Sequence, residues 1–443
     1  MHRREFIRQS AALSAMLCCS DWSRALETLG SRPKQRIRRV SVVRYALPKV
    51  SADHLEIEDD NGHIGVFGTL EWGIPLRMQG MLPRLIPLLV GRDPFDPALG
   101  FPLFWDTLYP GKPLQVYADG VDPLSGRKIW GTTRGTRHTQ TGLAIMALGA
   151  LENALWDLRG KVAGQPVRRL IGGVERGQIA VYTRIGEGGD IEKARLRARE
   201  EFDRGHRHQK WYFIYGPKDG REGLRKNLEL VRVIREELGP EAVLMFDNHS
   251  MRNEISGAFS TELAKAMLPY DPYWMEEPTA PEDVEGYARV KGETGITVAA
   301  GEHHYGRWHL KPLLDRKCLD WVQCDPDWCG GVSEWLRVTE MVQGEIARGY
   351  KGLRVIPHCD NFITDSQCVA SQSVALCPLA ENNEGQTRSK MSFRTRLLLP
   401  ENEVIAMLDE PGMGPDLDRA RTKLVPAGSA APPLLGGGRE SSG

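Results

Sequence analysis

Val243-Leu-Met-Phe-Asp247, Tyr273-Trp-Met-Glu276, Thr297-Val-Ala-Ala-Gly-Glu302 and Leu353-Arg-Val-Ile-Pro-His358 share one plan: a short apolar run closed by a side chain able to hold a cation or take a proton. Strands of a parallel sheet read this way, because helices cover both faces and polar residues gather at the strand ends. Helix-like amphipathic stretches separate the runs, so the order is strand, helix, strand, helix. Further strand candidates lie at 179–183, 209–215 and 320–325, with a short closing element at 379–381. Parallel strands joined by right-handed crossovers close into a barrel whose strand ends share one rim. The expected fold class is therefore α/β, a TIM-type barrel preceded by a smaller α+β domain.

A barrel takes about 250 residues, and the chain has 443, which leaves room for that second domain. Residues 36–46 alternate and are β-branched, as the edge of a small sheet that continues through 63–74. Leu148, Leu151, Leu155 and Leu158 repeat at helical spacing, with Gly160 as the expected stop. Residues 393–408 read as a return strand pair packing back on the first domain. At the start, Arg3-Arg4-Glu-Phe6-Ile7-Arg8 followed by Ala11-Ala-Leu-Ser-Ala-Met-Leu17 resembles a twin-arginine export signal, with Ser23-Arg-Ala25 as a cleavage site. The expected organisation is a signal at 1–30, an α+β domain at 36–173, a barrel at 178–385, a returning segment at 386–425 and a Gly-, Pro- and Ser-rich disordered tail at 426–443. The signal predicts a periplasmic or exported protein, and otherwise a cytoplasmic one.

Composition narrows the partners. Lys plus Arg and Asp plus Glu both total 58, so no charge excess points to nucleic acid or an anionic membrane. No run reaches the roughly 18 apolar residues of a membrane span. Among the cysteines, Cys18 and Cys19 fall in the leader and the rest lie between 318 and 377, without zinc-ligand spacing. The expected partner is a small molecule.

A lone acid at a strand end more often caps the following helix or forms a salt bridge. Asp247, Glu276 and Glu302 come in step, one βα unit apart, which favours a shared Mg2+ site, since that ion takes oxygen ligands and keeps positions open for substrate. The chain also resembles the enolase superfamily, and within it the mandelate racemase subgroup. The likeness is carried by Ala154-Leu-Trp-Asp-Leu-Arg-Gly-Lys161, Gln165-Pro166, Gly172-Gly173, Glu276-Glu-Pro278, Gly301-Glu302, and Gln323-Cys-Asp325 leading to Gly330-Gly-Val332. The resemblance implies an N-terminal capping domain over a modified (β/α)7β barrel, Mg2+ as cofactor, a carboxylate substrate whose α-proton is abstracted, and a homo-oligomer.

Lys210 falls where the family pattern reads Lys-x-Lys, but Tyr212 stands in place of the second lysine. A phenol with an ordinary pKa near 10 is a poor base at neutral pH, so Tyr212 reads as a hydrogen-bond donor or wall residue. The matching family residues make Asp325 and His358 a dyad, with His358 as the base. Racemisation needs proton exchange on two faces, whereas elimination needs one base, so the pattern resembles acid-sugar dehydratases of the L-rhamnonate dehydratase type. The alternatives are a racemase, epimerase or cycloisomerase of a sugar acid, and a carboxylate-binding protein without turnover. His249, two residues past Asp247, is either a second acid, sent the same way by strand alternation, or a loop histidine. Glu381 is expected to contact the substrate carboxylate, with Glu384 competing for the role. His303 and His304 read as a solvated loop pair, one of which faces the rim, and Trp72, Arg134 and Arg137 as cap residues closing over the site.

Overall fold

The computed structural model describes residues 35–71, 74–108, 142–172, 176–249, 256–359 and 361–426. The expected export signal, the tail beyond 426, and Trp72, Arg134 and Arg137 lie outside the described residues.

The first domain is an antiparallel meander of β1 (Ile37–Ala46), β2 (Ser51–Asp59) and β3 (Ile64–Leu70), backed by α1 (Ile74–Leu89), α2 (Phe101–Leu108) and α3 (Leu143–Ala163). Leu148, Leu151, Leu155 and Leu158 of α3 pack with Leu55, Ile57 and Phe67 of the sheet. The helix does not stop at Gly160. It runs on to Ala163 and ends where Gly164 turns left-handed at φ 64. Gly160 serves close packing instead, since a Cβ there would lie 2.5 Å from Gly412 Cα of the C-terminal segment.

After α4 (Val167–Leu170) the chain enters the barrel: β4 (Gln178–Glu187), α5 (Ile191–Asp203), β5 (His208–Tyr212), α6 (Gly220–Leu238), β6 (Val243–Asp247), α7 (Gly257–Met267), β7 (Trp274–Glu276), α8 (Val284–Thr294), β8 (Val298–Ala300), α9 (Arg307–Asp315), β9 (Trp321–Val322), α10 (Val332–Ala347), β10 (Arg354–Val355), α11 (Phe362–Ala370), β11 (Leu379–Asn382) and α12 (Glu384–Met391). Neighbours in the order β10-β9-β8-β7-β6-β5-β4-β11 pair in parallel. The ring closes where Val355 N donates to Leu376 O (2.9 Å), just ahead of β11. Alternate residues point two ways. Tyr182, Met245, Trp274, Ala299 and Ile356 fill the interior, while Val181, Trp211, Leu244, Phe246 and Met275 face the helices.

The return pair expected at 393–408 is not one hairpin on the cap. β12 (Val404–Ala406) runs antiparallel to β4. β4 begins five residues before its pairing with β5 starts at Thr183, and β12 fills that bare edge. Glu403 fastens it, accepting from His208 N at 2.6 Å. Contact with the first domain comes from Phe393, packed with Tyr45 and Ala52, and from β13 (Lys423–Leu424), which pairs with β1.

Candidate active site

Asp247 and Glu276 are the last residues of β6 and β7 and are register partners. Glu302 follows β8 across Gly301, whose φ of 155 and whose missing Cβ, which would lie 2.5 Å from Cys324 N, let the chain hug the next strand. One carboxylate oxygen from each of the three acids lies within 4.8 Å of the others, and all three residues are buried. Burial, then the neighbouring acids, raise Asp247 to about 6 against the pull of Lys210. The same order of causes takes Glu276 to about 8, and burial raises Glu302 as well. Such crowding is unfavourable unless positive charge offsets it. Asp247 Oδ2 has no hydrogen-bond donor among the described residues, with Lys210 Nζ at 3.4 Å. An all-oxygen donor set with an orphaned buried oxygen fits a hard divalent cation such as Mg2+, and these acids can hold one.

Lys210 points into the barrel from β5. Its Nζ lies 2.7 Å from Glu276 Oε1 and 2.9 Å from Glu381 Oε1. Burial works against its charge, but Glu276 and Glu381 outweigh it and hold the ammonium well above the lysine range. Glu276 Oε2 accepts from Trp274 Nε1 (3.0 Å) and Gln323 Nε2 (2.9 Å). Glu381 is the acid the structure brings against Lys210. Glu384 pairs instead with Arg204 at 3.0 Å and with Arg388. Burial pushes Glu381 up, yet Lys210 and His358 prevail and keep it at about 2.

Facing the acids, three residues past the end of β10, is His358. Its Nδ1 is 2.8 Å from Asp325 Oδ2, and Asp325 Oδ1 accepts from the backbone of Asp327 (2.6 Å) and Trp328 (3.1 Å). The Trp328 ring lies 4.8 Å from the imidazole, centre to centre. With Nδ1 donating to Asp325, Nε2 is left to exchange a proton, and it sits 3.5 Å from Glu302 Oε2. Burial disfavours the charged ring, but Glu302 and Asp325 override it and raise His358 to about 10. A cation shared by the three acids would oppose the Glu302 field that favours imidazolium.

The loop carrying Asp325 is gripped by the cap. Asn153 of α3 donates to Asp327 Oδ1 (2.7 Å) and accepts from Val332 N (3.0 Å), while Glu152 Oε2 accepts from Ser333 N (3.1 Å). Gly149 permits this approach, since a Cβ there would fall 2.4 Å from Asp327 O.

Burial raises the Tyr212 phenol well above its ordinary value despite Lys210 and Arg184, so it is neutral and no base. His249 faces the site, but strand alternation is not the reason. β6 ends at Asp247 and His249 adopts φ 47, which swings its ring to 5.3 Å from Tyr212 and its Nε2 to 3.9 Å from Glu302 Oε1. His303 and His304 are not solvated. His303 Nδ1 bonds Glu277 at 2.8 Å, and buried His304 bonds Pro281 O at 3.0 Å. Burial works against the charged form of His303, but Glu277 outweighs it and raises the ring to about 9. Sequence reasoning passed over Glu277, Trp328 and Arg184. Glu277 had a signal in the doubled acid of Glu276-Glu-Pro278, whereas Trp328 reaches His358 only through the loop's turn. Glu277, Glu302 and His303 also bring ligand atoms within 4.8 Å of one another, a second grouping that shares Glu302 with the first.

Residues 193–421 match the enolase C-terminal domain-like family, and residues 123–172 match the N-terminal domain of the mandelate racemase and muconate lactonizing enzymes. The chain belongs to the enolase superfamily. Over 251 residues it is 31% identical to an L-rhamnonate dehydratase of Saccharopolyspora erythraea, a stretch covering 56% of this chain and 60% of that protein. The same fold is found in the 3,6-anhydro-D-galactonate cycloisomerase of Zobellia galactanivorans, at TM-score 0.68 and 22% identity over 88% of this chain and 99% of that one. A racemase from Streptomyces coelicolor A3(2) with bound magnesium gives TM-score 0.66 and 22% identity over 87% and 98%. Among the described residues no helix is long and apolar enough to cross a membrane.

Proposed function

We propose that the protein is a Mg2+-dependent dehydratase of sugar acids that converts its substrate to a 2-keto-3-deoxy acid. The observation that supports this most is an asymmetry. One side carries an oriented base, His358 held by Asp325 at 2.8 Å. The other carries Lys210, held charged by Glu276 and Glu381, and Tyr212, held neutral by burial. Neither exchanges a proton readily, which leaves His249, 5.3 Å from the Tyr212 ring, as the candidate second acid on that side; elimination through His358 needs no second base there.

Asp247, Glu276 and Glu302 would hold the divalent ion, which would supply Lewis-acid stabilisation for charge developing on the substrate carboxylate. His358 Nε2 takes the proton from C2, and the C–H electron pair moves toward the carboxylate. That pair then forms the C2=C3 bond as the C3–O bond breaks. The imidazolium returns its proton to the departing oxygen, which leaves as water, and the enol tautomerises to the ketone. Asp325 keeps Nδ1 protonated throughout, so that Nε2 is the exchanging atom. The L-rhamnonate dehydratase named among the relatives supports the same chemistry.

The test is a panel of aldonic and aldaric acids incubated with Mg2+-loaded protein in heavy water. Keto-acid formation is expected from at least one of them, and its loss in His358→Asn. A keto-free isomer carrying deuterium at C2 would instead assign an isomerase, and full activity in His358→Asn would remove that residue from the reaction.

A further inference from the structure

Arg184 has no part in the reaction above, yet it stands at the same rim. It is the register partner of Lys210 on the adjacent strand. Tyr182, two residues earlier, belongs to the barrel interior, so alternation turns Arg184 inward as well, one step nearer the rim. Its guanidinium carbon lies 5.3 Å from the centre of the Tyr212 ring.

The two neighbouring cations differ in their partners. Lys210 has carboxylate oxygens of Glu276, Glu381 and Asp247 at 2.7, 2.9 and 3.4 Å. Arg184, half-buried, has no hydrogen bond and no carboxylate within 4.0 Å among the described residues. Burial works against its charge, but Tyr212 and the more distant acids Glu381, Glu302 and Asp247 outweigh it, so the position leaves open not the charge but the hydrogen-bond donors, and a guanidinium's planar fork matches a carboxylate in two parallel hydrogen bonds. The neutral ring of Tyr212 offers a face that attracts a cation and fixes its position without competing for its donors. That gives tyrosine a purpose at a position where it is no base.

We propose that Arg184, seated on the Tyr212 ring, binds a carboxylate of the substrate; this rests on the site taking sugar acids. The carboxylate is either the reacting one beside Lys210 or the far one of a diacid.

The test uses full-length Mg2+-loaded enzyme and the variants Arg184→Gln and Arg184→Lys, with matched aldonic and aldaric acids. Steady-state kinetics separate KM from kcat, and calorimetry on a His358→Asn background measures affinity without turnover. Arg184→Gln is expected to weaken binding about tenfold or more, as loss of hydrogen bonds to a charged group does, and to raise KM more than it lowers kcat. Arg184→Lys should recover part of the loss. Equal weakening of both acid classes assigns the reacting carboxylate, and weakening confined to diacids assigns the far one. Unchanged affinity in Arg184→Gln for every acid the parent binds would overturn the proposal, as would a loss of melting temperature and kcat with KM intact. Acids that bind through Arg184 without yielding a keto acid would sink the dehydratase alone. Keto acid formed with Arg184→Gln unaffected would sink the arginine assignment alone. Binding of no acid in the panel would sink both.

Discussion

Single side chains decide which chemistry is open to this barrel. His358 is held from behind by Asp325, packed by Trp328 at 4.8 Å and aimed at Glu302, so its replacement removes the base of the proposed reaction. His358→Asn should lower kcat by about 10²- to 10⁴-fold, the usual worth of a general base, with the melting temperature little changed. Tyr212 gives the opposite expectation. Its buried phenol stays protonated, so Tyr212→Phe, which keeps the ring beneath Arg184, should retain activity within severalfold while Tyr212→Ala should not. Loss of all turnover in Tyr212→Phe would make the hydroxyl an acid or base and restore the isomerase. The three acids and His358 were legible in the sequence because each ends an apolar run at a strand's edge, whereas Lys210 and the pairing of Asp325 with His358 were legible through the family resemblance. Arg184 was not, since β4 continues past it to Glu187 and nothing marks it as a terminus. The orientation of His249 was equally hidden, because it depends on a left-handed backbone at φ 47 and not on strand periodicity.

Elements place these side chains through close backbone contacts that periodicity cannot reveal. The α3 leucines announced a helix, but its end was misjudged because Gly160 serves packing against Gly412 and Gly164 serves the turn. Gly160→Ala would gain helix propensity of about 1 kcal/mol, yet it drives a methyl toward Gly412 Cα at 2.5 Å. A net loss of about 1–3 kcal/mol is expected, as for overpacking, measured by denaturant unfolding. A more stable variant would show that the C-terminal segment yields. The same helix holds the 326–333 loop. Asn153→Ala leaves Asp327 Oδ1 and Val332 N without this partner, and should cost about 1–3 kcal/mol. It should also lower kcat more than it raises KM, because the loop fixes Asp325 behind His358. An unchanged kcat would separate the cap from the dyad.

At the level of the molecule, the fold gathers negative charge that a cation would relieve. Asp247 and Glu276 titrate at about 6 and about 8, above their unfolded values. Groups raised in this way stabilise the metal-free protein below their unfolded pKa, and that contribution is lost as pH rises through about 6 and then about 8. His303, raised to about 9, acts in the same direction. The melting temperature of the metal-free protein should therefore fall between pH 6 and pH 8. Mg2+ takes the place of the protons, so its stabilising effect should be larger at pH 8. A metal-free protein more stable at pH 8 than at pH 6, or one indifferent to Mg2+, would argue against a cation among these acids.

Anomalous diffraction from crystals loaded with Mn2+ bears most directly on the site, because two acid groupings share Glu302. One strong peak is expected, bonded to Asp247, Glu276 and Glu302, with His358 Nε2 facing the open side of the ion. A peak bonded to Glu277, Glu302 and His303 instead, or none between β6, β7 and β8, would contradict both the metal assignment and the chemistry built on it.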